Sequence, residues 1–223
     1  MSARDENPAG FEAEGELDPK DWVAFRRRAH AMLDLALDHL QAAGDGRVWS
    51  PVPDALESRL QAALPAEGTA PEQVDKDLAH LLPYGTGNLH PRFFGWVHGG
   101  GAPANLLADM AAAAMNANCG GRNHVGPRIE RQVIAWCRDL MGFPATTSGL
   151  VVSGTSLATL IALKAARDDR LGRQVRDTGV RAQKAVGYAS AEAHSCNARA
   201  FDMLGLGRDA LRAVPVDADY RID

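Results

Sequence analysis

Ser153-Gly154-Thr155-Ser156 stands between a short β-branched run, Leu150-Val151-Val152, and a long apolar-periodic segment that continues past Arg167. A strand, a small hydroxyl-rich turn and a helix start together make an anion site. The first amides of a helix have no partner inside it, and the helix dipole places partial positive charge there. Thr155 and Ser156 add hydroxyl donors, and Gly154 lets a ligand come close to the backbone. The chemistry this pattern suits is capture of a phosphate. Further along, YASAEAHSCNARA (188–200) sets His194 at the opening of another helix after another strand. Ligands of parallel sheets sit beyond the carboxyl ends of the strands, so both turns are expected at one crevice. A phosphate turn and an imidazole placed in this way suit a phosphate-bearing aromatic cofactor.

A second unusual stretch is PYGTGNLHPRFFGWVHGGG (83–101), where aromatics, glycines and histidines follow no period. It reads either as a pocket wall or as an ordinary aromatic loop packed on the core. Other chemistries find little support. His90 and His98 lie in a loop without ligand spacing, and no CxxC or HxxxH occurs, so no metal is expected. A serine nucleophile would sit in a G-x-S-x-G elbow, but position 158 is alanine. Cys119, Cys137 and Cys196 are scattered and read as reduced thiols, most simply buried small side chains.

These residues need elements to hold them. Asp18-Pro19 predicts a helix N-cap with proline at the first position and Asp21 as a capping-box acid. The helix should run over 19–43, with Trp22, Phe25, Ala29, Met32, Leu33, Ala36, Leu37 and Leu40 as its apolar stripe. Further helices are expected over 54–63, 71–82, 103–117, 127–141, 155–171 and 193–204, and strands over 150–152, 184–189 and 211–216. The order β-α-β-α-β predicts an α/β fold, a mainly parallel sheet covered by helices. With 223 residues and 46% hydrophobic content the chain can bury a sizeable core. A formal charge of −4 gives no support to a nucleic-acid partner. No apolar run suits a membrane span, and the acidic start lacks a signal-peptide core, which points to the cytoplasm.

The strings HPRFFGWVHGGGAPANLLADM, ERQVIAWCRDLMGFP, SGTSLATLIALKAAR and YASAEAHSCNARA, in this order, resemble pyridoxal-phosphate-dependent decarboxylases of the aromatic-amino-acid and glutamate decarboxylase group (group II). The resemblance covers 19–223 and is closest from about residue 88 onward. It implies the first part of the large domain of the type I, aspartate aminotransferase-like fold, preceded by a helical arm that packs across a two-fold homodimer. Residues 1–16 read as a disordered tail, and the resemblance implies the arm over 17–87 and an incomplete cofactor-binding large domain over 88–223. It further implies that Gly154, Thr155 and Ser156 bind the phosphate of pyridoxal 5'-phosphate. His194 would stack on the ring and assist the reaction. Trp96, Val97, His98 and Gly99 would line the pocket for an amino-acid substrate.

The group also uses a Schiff-base lysine beside a histidine and an aspartate on the pyridine nitrogen. None of Lys20, Lys76, Lys164 or Lys184 matches that lysine. The expectation is therefore a carboxy-lyase whose 223-residue N-terminal part is inactive alone. The alternatives are a truncated chain acting only as a dimerisation or interaction module, and an enzyme of the same fold with another reaction.

Overall fold

In the computed structural model of the chain, residues 18–118, 120, 123–181 and 185–222 are described. The expected tail over 1–16, Cys119 and Lys184 lie outside the described residues. The chain divides into two compact units, 1–117 and 118–223.

The first unit is helical. Helix α1 (Trp22–Gln41) is capped by Asp21, whose carboxylate accepts from the Val23 and Ala24 amides, both at 2.9 Å. This corrects the expected cap at Asp18. An aspartate that reaches two orphan amides itself outcompetes a proline-led start three residues earlier. The apolar stripe of α1 is half-covered rather than buried, with Trp22 62% exposed. Helix α2 is Asp54–Leu60 and α3 is Pro71–Leu81. Arg28 of α1 forms a two-pronged pair with Asp75 of α3 and donates to the Pro71 carbonyl at 3.0 Å, which ties the two helices together. Helix α4 is Pro103–Met115, closed by Asn116 in the left-handed region.

The second unit carries α5 (Val125–Leu140), α6 (Thr155–Leu171), the short α7 (Val175–Thr178), β1 (Gly187–Ser190), α8 (Cys196–Met203) and β2 (Leu211–Val214). Strands β1 and β2 pair in parallel, Gly187 opposite Leu211 and Ser190 opposite Val214, with α8 as the crossover. The core sits beneath α8, where Cys196, Ala200, Phe201 and Leu204 are buried at helical spacing. Gly187 makes room for it, since a Cβ there would lie 2.5 Å from the Phe201 ring. Helix α6 packs along α8. Arg167 of α6 donates to the Leu204 carbonyl at 3.1 Å and pairs with Asp168, which Lys164 also contacts.

Three expectations change here. Leu150, Val151 and Val152 form no strand among the described residues. The Val151 amide instead donates to the Glu130 carboxylate at 2.8 Å, so a side chain of α5 takes the place of a ladder partner. Residues 191–195 are a turn, so α8 starts at Cys196 rather than 193. The first strand of β-α-β-α-β is thus absent and the parallel pair remains. Cys137 is exposed, whereas Cys196 is buried as expected. No described helix is long and apolar enough to cross a membrane.

Candidate functional site

The strongest concentration of unspent donors in the second unit is the start of α6. Gly154 precedes it in extended conformation, with nothing within 4 Å of the position a Cβ would take. Its carbonyl accepts from the Leu157 and Ala158 amides, both at 3.1 Å. The Thr155 and Ser156 amides have no acceptor among the described residues, and neither do the two hydroxyls. All four groups belong to exposed residues. A tetrahedral dianion needs several donors converging on a positive helix end, and this set supplies them. The donor chemistry fits a phosphate ester.

His194 follows β1 in the turn over 191–195. The Ala191 amide donates to the Val214 carbonyl at 2.9 Å, so the turn leaves the sheet at its carboxyl edge. The ring Nδ1 accepts from the Cys196 amide at 3.2 Å, and the residue is exposed. Helices α6 and α8 pack together. Ser156 and Leu160 of α6 share a cavity of about 200 Å³ with Cys196, Arg199, Ala200 and Met203 of α8. The Cys196 thiol lies 3.8 Å from the Thr159 hydroxyl. The phosphate turn and the turn bearing His194 are therefore carried by two helices in direct contact. No bond or ring contact joins Thr155 or Ser156 to His194 itself.

Trp96, Val97, His98 and Gly99 belong to the first unit. The Gly99 carbonyl accepts from the Asn88 side-chain amide at 2.7 Å, which closes the loop on itself. Phe93 and His98 stack with ring centres 6.0 Å apart, and Trp96 leans on both. Trp96 holds φ at 47°, a left-handed conformation that a bulky residue adopts only when its surroundings impose it. With Val48, Trp49, Tyr84, Thr86 and Phe93 it borders an open groove of about 490 Å³. Val97 is fully exposed.

Sequence reasoning passed over Asn197. Its backbone and side-chain amides both donate to the His194 carbonyl, at 3.1 and 3.0 Å. An asparagine near a helix start was the available signal.

The Pyridoxal-dependent decarboxylase conserved domain matches residues 53–223. The chain belongs to the pyridoxal-dependent decarboxylase family. It is 29% identical over 211 residues to an aromatic-L-amino-acid decarboxylase of Bacillus atrophaeus, across 89% of this chain and 41% of that one. It is 30% identical to the aromatic-L-amino-acid decarboxylase of Sus scrofa, across 88% and 43%. Among solved structures, an Oryza sativa TDC with PLP and tryptamine superposes with a TM-score of 0.77 at 25% identity, covering 93% of this chain and 45% of that one. Mouse CSAD shares the fold, with a TM-score of 0.79 at 24% identity, covering 91% and 44%. The chain thus spans less than half the length of these relatives. The neighbours have the pyridoxal-phosphate-dependent transferase fold expected from the sequence, here as helices around a small parallel sheet.

Proposed function

We propose that this chain supplies the phosphate cradle and the ring-facing histidine of a pyridoxal-phosphate-dependent amino-acid carboxy-lyase. The observation that carries the reading is the start of α6, where two amides and two hydroxyls have no partners among the described residues at a positive helix end. Pyridoxal phosphate, when bound, supplies an electron sink for the carbon from which carbon dioxide leaves.

The residues divide the remaining work. Thr155 and Ser156 hold the phosphate through backbone N–H and hydroxyl, and Gly154 keeps the approach open. His194 would face the ring of the bound cofactor and would hold a proton at its Nε2. Trp96, with Val97, His98 and Gly99, contributes to the wall of the amino-acid pocket, and the aromatic groove at Trp96 suits an apolar side chain. Lys164 is spent on Asp168 within α6 and does not serve as the covalent anchor of the cofactor. Residues 17–87 are the arm of a homodimer, and 88–223 belong to the cofactor-binding large domain. The exposed apolar face of α5, with Trp136 62% and Leu140 89% exposed, supports association. The enzyme would work in the cytoplasm.

The test is calorimetric titration with pyridoxamine 5'-phosphate, which carries the phosphate and the ring but cannot react with stray lysines. Saturable binding that inorganic phosphate displaces is expected. Absence of binding by the folded chain would overturn the proposal.

A further inference from the structure

His90, His124 and His194 repeat one local arrangement. In each, the ring Nδ1 accepts the backbone N–H two residues on, from Arg92 at 3.0 Å, Gly126 at 3.2 Å and Cys196 at 3.2 Å. A ring nitrogen that accepts a hydrogen bond carries no hydrogen, so the neutral ring bears its hydrogen on Nε2. The three differ in what that N–H meets. The Nε2 of His124 is 2.9 Å from the Asn118 carbonyl and is spent. The Nε2 of His90 is buried without a partner among the described residues. His194 is exposed, and its Nε2 meets no acceptor among the described residues. Of these three donors, only that of His194 is free to reach a ligand.

The residue that steadies this donor is Asn197. Its two amide donors converge on the His194 carbonyl while the Cys196 amide holds the ring from the other side. Backbone and ring of His194 are thus each fixed by the first turn of α8, which otherwise would have left those amides unsatisfied. We propose that Asn197 is a positioning residue for His194: its fork on the His194 carbonyl, together with the Cys196 amide on Nδ1, presents the ring as an Nε2–H donor to an anionic oxygen of the bound ligand. The ligand half of this statement rests on the cofactor reading given above. The tautomer and the role of Asn197 do not.

The experiment reads the ring directly. The full chain labelled with ¹⁵N-histidine is examined by long-range proton–nitrogen correlation, with His194 assigned by the signals lost in His194→Gln. Wild type should show a pyridine-type Nδ1 and a pyrrole-type Nε2 at His194. Asn197→Val removes the side-chain donor that holds the His194 backbone, loosens the Cys196 amide's bond to Nδ1, and should raise the population of the other tautomer by up to about five-fold, the full worth of one ordinary hydrogen bond. Asn197→Ser, which returns a short donor, should restore the wild-type signals. His124, held by its own amide, should not change in either variant. An Nδ1–H tautomer in wild type, or signals unmoved by Asn197→Val, would overturn the positioning role. Pyridoxamine 5'-phosphate binding is measured on the same samples. Loss of binding with the tautomer intact counts against the cofactor site, whereas binding with the wrong tautomer counts against Asn197.

Discussion

Replacing Ser156 by aspartate should cost the phosphate site at least about 100-fold in affinity while leaving the fold intact. Ser156 is the second residue of α6, exposed, and its hydroxyl has no partner among the described residues. A carboxylate in the first turn of a helix stabilises it by about 0.3–1 kcal/mol, so the variant should melt at or slightly above the wild-type temperature. Toward a phosphate the same carboxylate acts in the opposite sense. Losing a hydrogen bond to a charged group costs about 1.5–3 kcal/mol. The site is open to water, where two unit charges 4 Å apart repel by about 1 kcal/mol, and a phosphate carries close to two charges. The sum is about 3–5 kcal/mol, or about 10²–10⁴-fold in Kd. Ser156→Ala loses only the hydroxyl bond and should cost about 10- to 100-fold. Calorimetric titration of wild type and both variants with pyridoxamine 5'-phosphate, beside thermal melts, measures both quantities. Salt separates them further, because the repulsive part should shrink as the screening length falls from about 10 Å at 0.1 M to about 3 Å at 1 M. A Ser156→Asp variant that binds within about threefold of wild type, or no worse than Ser156→Ala, would refute the reasoning.

Other consequences follow from the second unit and its site. Hydrogen bonds from Lys164 and then Arg167 hold the Asp168 carboxyl below its usual range. Its contribution is therefore full above the ordinary carboxylate range and is lost as pH falls toward the depressed folded value. Melting temperatures from about pH 6 down to about pH 3 should fall more steeply for wild type than for Asp168→Asn. Gly187→Ala places a Cβ 2.5 Å from the Phe201 ring and should destabilise by about 1–3 kcal/mol despite alanine's lower chain entropy. Urea midpoints would show this, and Phe201→Leu should return part of the loss. In a decarboxylating enzyme carrying these residues, His194→Phe should keep near-normal cofactor content while the rate falls by about 10²-fold or more. An unchanged rate would make His194 only a stacking surface.

The start of α6 was legible because local signals agree there: glycine at 154 in a hydroxyl-rich turn, and an apolar period after it. The expected span, 155–171, is the observed one. The α1 cap was misread because Asp18-Pro19 and Asp21 both satisfy start rules, and sequence alone does not show which carboxylate reaches the amides. The run over 150–152 has strand composition, but a strand is made by its partner, and here the Glu130 carboxylate takes the Val151 amide. Cys137 sits on an amphipathic helix and was read by residue type, yet its face of α5 is open in the described unit. The residue types of the candidate site were visible in the string, including His194. The hydrogen at its Nε2 and the fork from Asn197 were not. Both depend on a turn at 191–195 that delays α8 to Cys196, and no periodicity announces a turn of that kind.

What marks the candidate site physically is the contrast between spent and unspent polar groups inside one unit. Arg167 is divided between Asp168 and the Leu204 carbonyl, Glu130 serves the Val151 amide, and His124 caps α5 with one nitrogen and meets Asn118 with the other. Groups used in this way hold elements together and have nothing left to offer. At the start of α6 and at His194 Nε2 the opposite holds, although the backbone carrying each is firmly placed by α6–α8 packing and by the Asn197 fork. Donors that are fixed in position but unpaired pay their ordering cost within the fold and keep their hydrogen bonds for a ligand, which is the preorganisation that binding an anion requires. Asp21 caps α1 and His124 caps α5 with a side chain, whereas α6 opens on Gly154 with no side-chain cap. Gly154 has no side chain to cap with, and the proposed phosphate capture rests on the Thr155 and Ser156 donors that this leaves without partners among the described residues.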